Sequence, residues 1–102
     1  LAQRELTHAT FVPPKRWDGK WRLIVFDVPE RQRHRRDNLR AHLRRLGLHA
    51  IQQSTWITPY PCDDLVRLLK VEIGLDRSVQ YFTVTGFEDR EEEKAWRLRF
   101  DV

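Results

Sequence analysis

The apolar residues fall in short blocks whose spacing switches between strand-like and helix-like. Trp21 to Asp27 (WRLIVFD) is a short, largely apolar run without alternation, which predicts a strand covered on both faces. From Arg31 to Leu46 the residues Leu39, Leu43 and Leu46 recur at i, i+4 and i+7, a narrow helical stripe, and Gly47 supplies the stop. Leu48 to Thr58 is β-prone and predicts two strands, or one bent strand, with a kink near Gln53. Pro59-Tyr60-Pro61 closes it. A second helix is expected over Leu65 to Ile73, with Leu65, Leu68, Leu69 and Ile73 facing the core, Asp63 or Asp64 as cap and Gly74 as terminator. Ser78 to Thr85 (SVQYFTVT) has the strongest β propensity in the chain. Glu88 to Phe100 predicts a last helix, acidic at its start, with Lys94, Arg97 and Arg99 later, an order that suits the helix dipole.

The element order is that of a ferredoxin-like βαββαβ sandwich, an α+β fold, followed by a C-terminal helical tail. Two helices then cover one sheet face. The other face, expected to carry Trp21, Trp56 and Tyr81, needs a cover, and a second protomer is the simplest one. Residues 1–16 read as an N-terminal arm or linker, because Leu1 to Lys15 has no clean period and Pro13-Pro14 favours an extended path. Residues 17–102 form the folded domain, entered through the turn Trp17-Asp18-Gly19-Lys20.

Composition sharpens this picture modestly. The chain has 102 residues, 40% hydrophobic and 33% charged, enough for one small domain that gains from oligomerisation. Its net charge of +4 and pI of about 9.7 favour a polyanionic partner, and the basic charge is dense between Lys15 and Arg45. The single cysteine, Cys62, excludes an internal disulfide and a cysteine-cluster zinc site, and fits the reducing cytoplasm where we expect the protein to reside. No apolar run reaches the ~20 residues of a membrane span, so no membrane partner is expected. The lack of methionine leads us to expect a processed chain or a piece of a longer one.

Two features carry candidate chemistry. Asp27 ends the first strand, where a carboxylate can hold Mg²⁺ or Mn²⁺. One carboxylate is a poor metal site, and two related by a dimer axis would be a better one. Equally, Asp27-Val28-Pro29-Glu30 before a helix has the pattern of a capping box. Both readings stand, since a carboxylate has two oxygens. The second feature is the helix bearing Arg31, Arg33, Arg35, Arg36, Arg40, Arg44 and Arg45. Guanidinium forks match phosphate oxygens, which makes Arg31, Arg33, Arg35, Arg36, Arg40 and Arg44 candidate contacts to DNA, or to RNA. The alternative is a solvated face partly paired with Asp37 or the acidic tail. His8, His34, His42 and His49 share no metal spacing, Ser54 lacks a nucleophile motif, and there is no phosphate-binding glycine loop.

WDGKWRLIVFDVPE, RRDNLRAHLRRLGL and QQSTWITPYPC, taken in order, closely resemble the central domain of the phenylacetate-degradation repressor family. That domain is itself similar to CRISPR-associated protein two, the ferredoxin-like nuclease subunit of spacer acquisition. The resemblance runs from about Trp17 to Phe87. It implies a homodimer. On the CRISPR side it implies a nucleic-acid-binding adaptor of spacer acquisition that bridges integrase dimers. If active, it would be a metal-dependent endonuclease in which Asp27 of both protomers is catalytic and holds one Mg²⁺ or Mn²⁺. On the repressor side it implies a non-catalytic central dimerisation domain that follows a winged-helix domain of the same chain. A toxin-like ribonuclease of the same fold ranks below both. Phe26, where a tyrosine is frequent, and the helical tail both depart from the CRISPR pattern.

Overall fold

The computed structural model describes residues 16–75 and 77–102. The expected arm therefore lies almost wholly outside the described residues. The elements are β1 (Trp21–Phe26), a 3₁₀ turn (Glu30–Gln32), α1 (Arg33–Arg45), β2 (His49–Gln52), β3 (Thr55–Thr58), α2 (Asp63–Ile73), β4 (Val79–Val84) and α3 (Arg90–Phe100). The strands form one antiparallel sheet in the order β2-β3-β1-β4. This is the ferredoxin-like α+β sandwich with a helical tail that the element order predicts. The kink expected near Gln53 is a break between two strands, and a register shift between Ala50 and Gln52 adds a bulge.

Residue parity along β1 sorts the two faces of the sheet. Ile24 and Phe26 point to the helices α1 and α2. Ile24 lies opposite Trp56 of β3 and Tyr81 of β4. These residues join Leu39, Leu43, Leu65, Val66, Leu69 and Ile73 in the main core, with Tyr81 at its margin. Trp56 and Tyr81 thus belong to the helix-covered face, contrary to the expectation that they sit with Trp21 on the other. A sequence shows that neighbours alternate, but strand register decides which alternate residues share a side.

The second face carries Trp21, Leu23, Val25, Ile57 and Phe82, in the pairs Leu23–Ile57 and Leu23–Phe82. Helix α3 lies across one half of it. Phe100 packs against Trp21 and His49 with ring centroids 6.0 and 4.8 Å apart, and Trp96 stands 6.4 Å from His49. Trp17 and Phe87 close the rest of the cage around Trp21, at 5.0 and 5.8 Å. The first cover of this face is therefore the chain's own tail. Beyond it Leu23 and Val25 stay half-buried and Phe82 is 45% exposed.

Local chemistry sets the helix ends. Helix α3 starts at Asp89, whose carboxylate accepts the backbone N–H groups of Glu91 and Glu92 at 2.9 and 3.2 Å. Helix α2 ends at Gly74, which takes the left-handed conformation (φ 78°) that a Cβ disfavours. The caps expected elsewhere do not form. Asp63 and Asp64 fall inside the first turn of α2 after Cys62, and Asp63 instead accepts the Tyr81 hydroxyl at 3.1 Å. The 3₁₀ turn begins after Pro29 with no side-chain cap, so the Asp27–Glu30 capping box is absent too.

Candidate functional site

The end of β1 places Asp27. Ladder-like bonds continue past the strand: the Phe26 N–H donates to the Ser54 carbonyl and the Asp27 N–H to the Ser78 carbonyl, at 3.0 and 2.9 Å. The Asp27 backbone is thereby fixed while its carboxylate is exposed. It borders a cavity of about 280 Å³ together with Val25, Arg77, Ser78 and Gln80. Glu30, the other acid of the motif, turns to the helix instead, 3.6 Å from Arg33 and 3.4 Å from Arg36.

This donor set does not fit a divalent cation within one chain. Magnesium and manganese sites gather several oxygen ligands. Here one carboxylate shares its cavity with a guanidinium, and among the described residues no three His, Cys, Asp or Glu side chains come together as a metal site. A cation at Asp27 would need the partner's carboxylate, so no reaction step is assigned to a metal.

The arginine helix divides into anchored and outward-facing members. Arg35 donates to the Gly74 carbonyl at 3.2 Å, tying α1 to the end of α2. Arg40 donates through Nε to the Gln53 carbonyl at 3.0 Å, pairs with Asp37 at 3.6 Å and lies 5.8 Å from the Phe26 ring centre. Arg44 lies over Trp56 at 5.6 Å, although it is exposed. Arg36 is largely covered and reaches Glu30 and Asp37. Arg31 and Arg33 are exposed at the entry of the helix, where Arg33 has, among the described residues, only the solvated Glu30 as an ion-pair partner. Such a pair is weak, on the order of 0 to 1 kcal/mol. Of this helix's arginines, Arg31 and Arg33 at its entry and Arg44 and Arg45 near its end are the exposed ones.

Sequence reasoning passed over a buried and well-connected polar group. Arg22, inside the apolar run, is only 5% exposed. Its guanidinium donates to both Asp18 oxygens (2.5 and 2.9 Å), to the Lys20 carbonyl (3.1 Å) and to the Pro59 carbonyl (2.9 Å). Asp18 also accepts the Lys20 N–H at 3.0 Å, and the Trp17 indole donates to the Lys20 carbonyl at 2.7 Å. The turn Trp17–Lys20 is therefore a clamp on Arg22. These bonds hold the Asp18 carboxyl down at about 2. The signal was present: a charged residue in an otherwise apolar strand, four residues after an acid.

Buried Cys62 and half-buried Tyr81 form a smaller pair. The Cys62 N–H donates to the Tyr81 hydroxyl at 2.9 Å. Burial pushes the Cys62 thiol up to about 11 and raises Tyr81 as well, so neither is a nucleophile near neutral pH. Among the described residues no helix is long and apolar enough to cross a membrane.

Comparison with known families gives one result. The model of the PaaX protein central Cas2-like domain matches residues 14–96. No curated protein and no solved structure shows a significant match.

Proposed function

The chain belongs to the PaaX central Cas2-like domain family, and from that premise we propose that it is the dimerising central module of a PaaX-type transcriptional regulator, without nuclease activity of its own. One observation carries the reading. The second sheet face is only half covered by α3, and the remainder presents Leu23, Val25 and Phe82 to solvent. A second copy laid on this patch would bury it, and a two-fold axis would make the contact self-complementary. The arginine helix supports the same reading. Arg35 and Arg40 hold α1 to neighbouring elements and Arg36 is largely covered, which leaves a short cationic entry at Arg31 and Arg33 for secondary contact with a DNA backbone. Base reading then lies in another domain, a winged helix in the resemblance.

The spacer-acquisition nuclease is the competing reading, and Asp27 separates the two. Cleavage of DNA and RNA should be assayed with Mg²⁺ and Mn²⁺, for the chain as it stands and for Asp27→Ala. The regulator reading expects no metal-dependent product that differs between the two proteins. Cleavage that requires both the metal and Asp27 would replace it with the nuclease.

A further inference from the structure

The loop from β4 to α3 and the first turns of α3 border an open groove of about 530 Å³ that neither the dimer nor the DNA reading uses. Thr85, Gly86, Phe87 and Glu88 border it on the loop side, and Arg90, Glu93, Lys94 and Arg97 on the helix side. The three cations recur at i, i+4 and i+7, so they lie along one face of α3. None of them has an ion-pair partner among the described residues, although acids are plentiful nearby. Two of these acids have backbone partners. Asp89 caps the helix. Glu93 accepts the Phe87 N–H at 2.8 Å, folded against Gly86, where a Cβ would come within 2.8 Å of its Oε1. Glu93 is thus drawn back against the loop. Arg97 is steadied from behind by the Trp17 ring, 5.2 Å away.

Like charges at i and i+4 repel on a helix. Here neither Arg90 nor Lys94 is ion-paired among the described residues, although Glu88 and Glu93 border the same groove, and an external anion would relieve the repulsion. Guanidinium forks favour a phosphate. The volume lies within the roughly 300–1,000 Å³ of small-molecule sites, well beyond one phosphate ion. The bordering side chains are mainly polar, which suits a hydrophilic ligand.

We propose that this groove binds a small phosphorylated molecule of about mononucleotide size, its phosphate held by Arg90, Lys94 and Arg97. The proposal is independent of the regulator reading. Its test is calorimetric titration of the 102-residue chain at low salt with AMP, pyrophosphate and inorganic phosphate, repeated on Arg90→Gln/Lys94→Gln. Neither substituted side chain has a hydrogen bond or ion pair among the described residues, so the variant keeps its fold, and its melting temperature checks this. AMP should bind one per chain, more tightly than inorganic phosphate, and the double variant should lose about tenfold or more in affinity. The chemical shifts of Gly86 and Phe87 should move on binding. Absence of AMP binding overturns the proposal, as does equal affinity in the variant. Phosphate binding as tight as AMP reduces the groove to an anion patch. Duplex DNA binding that the variant weakens and AMP does not compete with assigns the face to a nucleic-acid backbone instead.

Discussion

Arg22 and Asp18 show how much one buried charge asks of its surroundings. A guanidinium inside a sheet is tolerable only when its donors are met, and here a carboxylate and two carbonyls meet them. Asp18→Ala should leave that charge uncompensated and lower unfolding free energy by about 3 kcal/mol, read by urea denaturation. The pair also sets an acid limb. The folded Asp18 pKa lies near 2, below its ordinary 3.8, so the unfolded chain binds more protons between these values. The contribution is whole above about pH 4 and is lost as pH falls towards 2. A plot of urea midpoint against pH should lose that slope in Asp18→Ala. His42 acts at higher pH. It is 2% exposed, its Nε2 finds no hydrogen-bond partner among the described residues, and burial, reinforced by Arg45, lowers its pKa from 6.5. The folded state resists protonation that the unfolded chain accepts, so stability is full above about pH 6.5 and declines below it. Replacement by leucine should flatten this part of the profile. A profile as steep in His42→Leu as in the parent would contradict the assignment.

At the scale of elements, the order of strands and helices was legible because each short segment has one dominant period. The apolar residues of α1 and α2, with the glycines after them, marked the ends of those helices to within a residue, while both starts lie two residues from those expected. What was not legible depends on partners far along the chain. Arg35 and Arg40 bind carbonyls 39 and 13 residues away, so a helix that reads as a cationic surface is partly an anchored one. Asp27 and Glu30 have capping-box spacing, but Pro29 and the 3₁₀ turn send Glu30 to Arg33 and Arg36. Arg35→Ala with Arg40→Ala should therefore cost about 1 to 3 kcal/mol of stability. Arg31→Ala with Arg33→Ala should leave stability within about 0.5 kcal/mol while reducing the salt dependence of any duplex binding. Equal stability losses in the two double variants would contradict this division. The tail is the other element whose place could not be read. Its aromatic pair, Trp96 and Phe100, meets His49 of β2 and Trp21 of β1, two residues that only the sheet register brings together. Phe100→Ala should destabilise by about 2 kcal/mol and change Trp21 fluorescence.

For the whole molecule, a domain of 102 residues stays mostly surface, and the sheet's second face shows how the deficit is divided. The tail covers the half around Trp21. The other half, centred on Phe82, stays partly exposed. Family membership and this uncovered patch both support the proposed central module that pairs with its own copy. Sedimentation equilibrium of the chain and of Phe82→Glu at micromolar concentration tests it most directly. Phe82 is already 45% exposed, so the substitution does not disturb the core. The account predicts a dimer for the parent and a folded monomer for the variant. A parent that sediments as a monomer, or a variant that stays dimeric, would contradict it.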